Sequence, residues 1–234
     1  MKLLNIPYSH KAIFLDRPNR FLGVVRMNKG EGEEEVHIHD PGRLKELLYR
    51  GNEVLIRTAK GKNRRTRWDM LAARKKKEWI FIHSGYHSKI AHRLFELSLI
   101  KALNRVEDIR PEVKVPDGRL DFQVKMDGIS IWIETKGCTL IDRGIAFFPD
   151  APTKRGRKHL QSLMELKAKG ERAALLILIF SKNVLCFSPN KDTDPLFAEA
   201  FFSAIERGVE VYPVSLSYNG TDIYFYREIP LCRR

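Results

Sequence analysis

Cysteine is scarce in this 234-residue chain: Cys138, Cys186 and Cys232 are far apart and odd in number. They form neither a C-x-x-C pair nor a disulfide framework, which fits a reduced, cytoplasmic protein. No apolar run approaches the roughly 18 residues needed to cross a bilayer. The start, MKLLNIPYSHKAIF, lacks the apolar core and small-residue cleavage site of an export signal. A P-loop, a G-x-G-x-x-G after a strand and a nucleophile elbow are all missing, which sets aside nucleotide-driven and serine-hydrolase chemistry. The histidines follow no zinc-ligand spacing. His37 and His39 share a strand face, while His83, His87 and His92 are scattered, so surface or capping roles are expected of them. Acidic charge is in deficit as well: 42 Lys+Arg stand against 29 Asp+Glu, a net +13. Residues 1–83 carry 19 basic and 10 acidic residues, the electrostatic footprint of a polyanion binder.

What is present falls into two textures, with no internal repeat and no low-complexity linker between them. Up to residue 83, short β-like runs alternate with turns: Ala12–Asp16, Arg20–Met27, Glu34–His39, Glu53–Thr58, Arg67–Arg74 and Glu78–His83. One helix is expected among them, with Asp40 as N-cap, Pro41 in the first helical position, Leu44, Leu47 and Leu48 as its apolar stripe, and Gly51 as its stop. Three strands, a helix and two or three more strands is the order of an OB-like β-barrel, with SH3-like or irregular barrels as alternatives. Residues 84–234 read instead as an α/β domain, giving an α+β protein overall. Helices are expected at Lys89–Leu103, Lys154–Lys169 and Pro195–Arg207. The continuous apolar run Ala173–Phe180 has the signature of a strand buried on both faces. A strand over Glu112–Val115 precedes a hairpin, and Glu210–Ser217 leads into a last hairpin through Asn219-Gly220.

The hairpin DFQVKM-DG-ISIWIETK, residues 121–136, carries the chemistry. Asp-Gly between alternating apolar residues is the strongest short-range hairpin signal, because both central residues of a type I′ turn need positive φ. With Asp127 and Gly128 as the loop, Met126 pairs with Ile129, and the register places Asp121 opposite Glu134 with Lys136 on the same face. The other face is apolar. Opposed carboxylates repel, so a cation between them is expected. In metal-assisted phosphodiester hydrolysis, carboxylates hold a divalent ion that polarises the phosphate and acidifies a bound water, and a neighbouring lysine orients that water or offsets charge.

Asp121…Glu134-Thr135-Lys136, on a hairpin after a helix, resembles the PD-(D/E)xK restriction-endonuclease-like superfamily. Nearly the whole chain resembles the sugar fermentation stimulation protein family, through His39-Asp40-Pro41-Gly42-Arg43-Leu44, Arg119-Leu120-Asp121-Phe122, Glu134-Thr135-Lys136-Gly137 and the long stretch from Phe148-Pro149-Asp150-Ala151-Pro152-Thr153 to Lys158-His159-Leu160. The resemblance implies an N-terminal OB-like domain, a C-terminal nuclease-like domain, and DNA binding without marked sequence preference. It also implies a regulatory role in sugar (maltose) metabolism. Asp121 and Glu134 would bind Mg²⁺ or Mn²⁺, with Lys136 assisting the attacking water, and Glu96 matches the first-helix glutamate that often completes such a site. Asp121 follows Leu120 rather than the proline of the superfamily pattern.

Two basic segments flank this candidate site. Lys60, Lys62, Arg64, Arg65 and Arg67, beside Trp68, are expected to contact phosphates, with Trp68 and Trp79 in the barrel core. Lys154, Arg155, Arg157, Lys158 and His159 open a helix, where basic side chains oppose the dipole unless an anion is bound. The sequence therefore predicts a DNA-binding protein with a nuclease-like metal site. A non-enzymatic DNA-binding regulator is the competing reading, and RNA the alternative polyanion.

Overall fold

The structure is a computed structural model and describes residues 1–27, 32–61, 64–116 and 118–233. The strands are β1 (Lys2–Asn5), β2 (His10–Asn19), β3 (Leu22–Met27), β4 (Glu33–His37), β5 (Glu53–Thr58), β6 (Trp68–Lys75) and β7 (Glu78–Phe81). They continue as β8 (Val106–Val115), β9 (Gly118–Met126), β10 (Ile129–Cys138), β11 (Leu140–Asp142), β12 (Ile145–Phe148), β13 (Arg172–Ile179), β14 (Cys186–Pro189), β15 (Glu210–Tyr218) and β16 (Asp222–Glu228). The helices are α1 (His87–Glu96), α2 (Lys154–Ala168) and α3 (Pro195–Glu206), with short 3₁₀ turns at Ser84–Tyr86 and Lys101–Leu103.

Strands β2 to β6 close into a five-stranded barrel of OB type. The order β4-β3-β2-β5-β6 is completed by parallel pairing of β4 with β6, Val36 opposite Trp68. The interior is apolar: Phe14, Val25, Val36, Val54, Ile56 and Met70 are all buried. Strand pairing then runs straight on from the barrel into the second domain. β7 pairs with β6 and, at Trp79↔Tyr218, with β15, while β1 adds to β16.

The second domain is restriction-endonuclease-like. An antiparallel β8-β9-β10 meander joins parallel β13 and β15, with α1 on one face and α2 and α3 on the other. Ala173–Ile179 is buried throughout, as the unbroken apolar run requires. Alternate residues of β13 feed different cores. Leu176 and Leu178 pack with the barrel and α1, whereas Leu175 and Ile177 pack with Leu160, Leu163, Phe197 and Phe201 of the two outer helices. Thr153 caps α2 by accepting the Gly156 N–H at 3.0 Å, and Asp194 caps α3 through the Phe197 N–H at 3.0 Å, with Pro195 in the first turn.

Three expectations need correction. Residues 40–51 do not form a helix. Asp40 accepts the Gly42 N–H at 2.8 Å in an Asx turn, the Leu44 N–H goes to Asp150 at 3.1 Å, and Leu44 has φ +51°. Those local and distant carboxylates take the amides that would start a helix, and a left-handed residue stops its propagation. Leu44, Leu47 and Leu48 are buried all the same. The first helix of the second domain ends at Glu96 rather than reaching Leu103, because Ser98 takes φ +51°; β8 begins at Val106, earlier than expected. Finally, Cys186 and Cys232 form a disulfide, with Cα atoms 4.9 Å apart, while Cys138 is buried and free. A separation of 46 residues hid the pairing. The chain's tail folds back along β14, with Phe187 N–H on the Pro230 carbonyl and Cys232 N–H on the Phe187 carbonyl, both at 2.9 Å.

Candidate functional site

The hairpin has the register that its turn chemistry predicts. Asp127 and Gly128 take φ +49° and +77°, and Ile129↔Met126 through Ile133↔Phe122 are paired. Asp121 and Glu134 occupy the next position along. They differ in their surroundings. Asp121 Oδ2 accepts the Thr135 N–H at 2.8 Å, and burial followed by the Glu134 charge pushes its carboxyl above the usual range. Glu134 is 1% exposed. Burial alone would raise it, but a hydrogen bond from His159 and the Lys136 charge outweigh that and hold it below the usual range. Both Lys136 Nζ and His159 Nδ1 bind Glu134 Oε1, and these two nitrogens are 3.2 Å apart. Glu134 Oε2 is buried and has no hydrogen-bond partner.

Two further histidines thus belong to the neighbourhood. His159 reaches Glu134 from the first turns of α2, and Arg155 donates to its other ring nitrogen at 3.4 Å. The spacing inside the basic segment gave no hint of this, because the contact crosses from helix to sheet. His87 lies over Gly137, where a Cβ would fall 2.1 Å from His87 Cε1, so β10 needs glycine at that point. Burial, then the Lys136 charge, pushes His87 down to about 4, so it is neutral. An imidazole seated on the strand after E-x-K is the physical reason for the Lys136-Gly137 step.

The other candidate residues are more dispersed. Glu96 lies at the exposed end of α1, ion-paired to Arg93 and 3.4 Å from His92 Nδ1, and among the described residues it forms no hydrogen bond or ion pair with Asp121 or Glu134. Lys154, Arg155 and Lys158 are exposed, but Arg157 is committed to Asp194 through two contacts of 2.9 Å. In the barrel, Lys60, Arg65 and Arg67 lie between β5 and β6 along with Arg64, which pairs with the buried Asp69. Lys62 lies outside the described residues. Trp68 is buried and donates to Glu34 at 3.3 Å, with Arg67 over its ring at 5.0 Å; Trp79 is half-buried under Arg74 at 4.9 Å.

A groove of about 810 Å³ runs between the two domains, lined by Arg17, Arg20, Arg43 and Lys45 of the barrel and by Gly137, Thr139 and Arg155 beside the hairpin. Asp40, on the barrel side, and Asp150 line it too. Burial, with the Asp150 charge adding to it, pushes Asp40 up to about 6 against the pull of the Gly42 N–H and Arg17.

A closed OB-like barrel joined to a restriction-endonuclease-like domain, with an acid–acid–lysine hairpin facing a basic helix start, defines a two-domain nuclease-like class of protein. Residues 85–222 match the family model for the sugar fermentation stimulation protein RE domain, and residues 15–82 match that for the SfsA N-terminal OB domain. The chain belongs to the sugar fermentation stimulation protein family. A homolog from Methanococcoides burtonii is 43% identical over 234 residues, covering 98% of this chain and 95% of its own. One from Saccharolobus solfataricus is 44% identical over 224 residues, covering 95% and 85%. The solved structure of Pyrococcus furiosus SfsA in complex with Ca²⁺ superposes with a TM-score of 0.92 at 30% identity, covering 100% of both chains.

Proposed function

We propose that the chain binds DNA along the inter-domain groove, without strong sequence preference, and cleaves phosphodiesters at the hairpin with Mg²⁺ or Mn²⁺. The observation that carries this is Glu134 Oε2, a buried carboxylate oxygen without a partner, beside Asp121 on a hairpin where Lys136 and His159 both bind the other Glu134 oxygen. The donors fit a hard divalent ion, since two carboxylates supply oxygen ligands. Asp121 and Glu134 would hold it, and when bound it supplies Lewis acidity and a water of lowered pKa. Lys136 sits where it can orient that water or offset charge on the phosphate, and His159 fixes the Glu134 carboxylate. Arg155 at the groove end and the exposed Lys154 and Lys158 can meet backbone phosphates, and so can Lys60, Arg65 and Arg67 on the barrel. The Ca²⁺ complex of the Pyrococcus furiosus relative supports divalent-ion use in the family.

One observation favours the non-enzymatic alternative, a DNA-binding regulator: Asp121 already spends an oxygen on the Thr135 amide. Incubating plasmid and single-stranded DNA with the protein and Mg²⁺ or Mn²⁺ separates the two readings. Nicks or fragments that vanish in Glu134→Ala and Lys136→Ala, with DNA binding retained, are the expected result. Cleavage that survives both changes overturns the assignment, and clean binding with no cleavage under either metal leaves the regulator.

A further inference from the structure

We infer that the barrel carries a second metal site, of the zinc class, formed by His39, Asp69 and His83. The three come from separate stretches of chain: His39 lies just beyond β4, Asp69 is the second residue of β6, and His83 lies just beyond β7. Barrel closure brings them together, because β4 pairs with β6 at His37↔Asp69 and β7 returns beside β6. One ligand atom from each residue lies within 4.8 Å of the others, the one such cluster among the described residues.

His83 gives the strongest reason. It is 5% exposed, and both of its ring nitrogens are buried without a hydrogen-bond partner. A buried imidazole normally has both nitrogens satisfied, so an unpaired one next to a buried carboxylate points to a ligand. His39 Nε2 and Asp69 Oδ1 stand 3.1 Å apart. Around a tetrahedral zinc, with bonds of roughly 2.0–2.2 Å, neighbouring ligand atoms lie about 3.4 Å apart, so the two residues already stand at a separation a shared ion can use.

Two imidazoles and one carboxylate select zinc, cobalt or nickel over magnesium or calcium, which prefer all-oxygen shells. The His39 and His83 rings stack with centroids 3.6 Å apart, so one must turn to aim its lone pair at the ion. His39 is the one able to do so, since 22% of its side chain is exposed while its backbone is held by Ser84 Oγ donating to its carbonyl at 2.6 Å. Arg64 pairs with the same Asp69 carboxylate and orients it, as partners of metal ligands do. With water in the fourth position, the site pins the closing strands of the barrel to the segment that enters α1. It does not depend on the nuclease reading.

The test is zinc and cobalt(II) binding to the full chain after chelator treatment and dialysis, in wild type, Glu134→Gln and His39→Gln. The Glu134→Gln protein should retain an equivalent of Zn²⁺, give the visible absorption of tetrahedral Co²⁺, and melt at a higher temperature when zinc is added. His39→Gln, a change at a part-exposed residue that avoids disturbing buried His83, should bind on the order of tenfold or more weaker and lose the zinc-dependent rise in melting temperature. Should Glu134→Gln not fold, wild type must still hold an equivalent more than His39→Gln. Equal binding by wild type and His39→Gln, or no retained zinc in a folded Glu134→Gln protein, overturns the site.

Discussion

The two domains treat acid near the inter-domain groove in opposite ways. On the nuclease side, Glu134 is almost wholly enclosed yet stays ionised, because Lys136 and His159 both converge on one of its oxygens. On the barrel side, Asp40 has one backbone amide and a competing carboxylate, Asp150, and burial lifts it to about 6. The more enclosed carboxylate therefore keeps a fixed charge, while the half-buried one becomes the titrating group. Hydrogen-bond donors within contact range decide which.

The largest effect is expected where the nuclease wall is tightest. Gly137→Ala drives a methyl into His87 and should destabilise the fold by about 3 kcal/mol in urea denaturation. Adding His87→Ala should recover much of that loss; a Gly137→Ala protein as stable as wild type would mean the strand and imidazole are not in contact.

Next comes the barrel wall. Asp40 has a raised folded pKa, so its favourable contribution is complete below its ordinary value of 3.8 and is lost as pH rises through about 6. Asp40→Asn should accordingly raise unfolding stability by about 1–2 kcal/mol at neutral pH and by little in acid. Glu134 runs the other way: its stabilising contribution is present above the ordinary carboxylate range and fades as pH falls through its lowered value. Parallel pH profiles for the Asp40→Asn and wild-type proteins would erase the contrast between the two domains.

The smallest effect concerns the basic residues. Among the described residues Arg65 forms no ion pair, whereas Arg157 is tied to Asp194. Arg65→Gln should lower the salt slope of DNA binding by about one ion. Arg157→Gln should leave the slope in place and lower the melting temperature instead. Equal slopes in both variants would count against the barrel loop as a phosphate contact.

The same contrast explains what could be read from the residues. The hairpin was legible because turn chemistry and period-two alternation are local rules: Asp127-Gly128 set the register, and the register set Asp121 beside Glu134. The buried strand Arg172–Ile179 and the Asp194-Pro195 helix start were legible on similar grounds. The Asp40 segment reads as a helix from its own residues because the group that reshapes it, Asp150, lies 106 residues beyond the amide it captures at Leu44. His159, the His39–Asp69–His83 cluster and the Cys186–Cys232 bond escaped for the same reason. Each is assembled by contacts between elements far apart in the chain, which no spacing rule encodes.

Strand pairing crosses the domain junction at two places, Trp79↔Tyr218 and β1 against β16. The groove is consequently cut into a single framework, more like the throat of a fixed spanner than a pair of hinged jaws. If the proposed DNA binding holds, such a throat would favour strands supple enough to follow it, and the choice between stiff and supple strands would rest with the mechanics of the substrate.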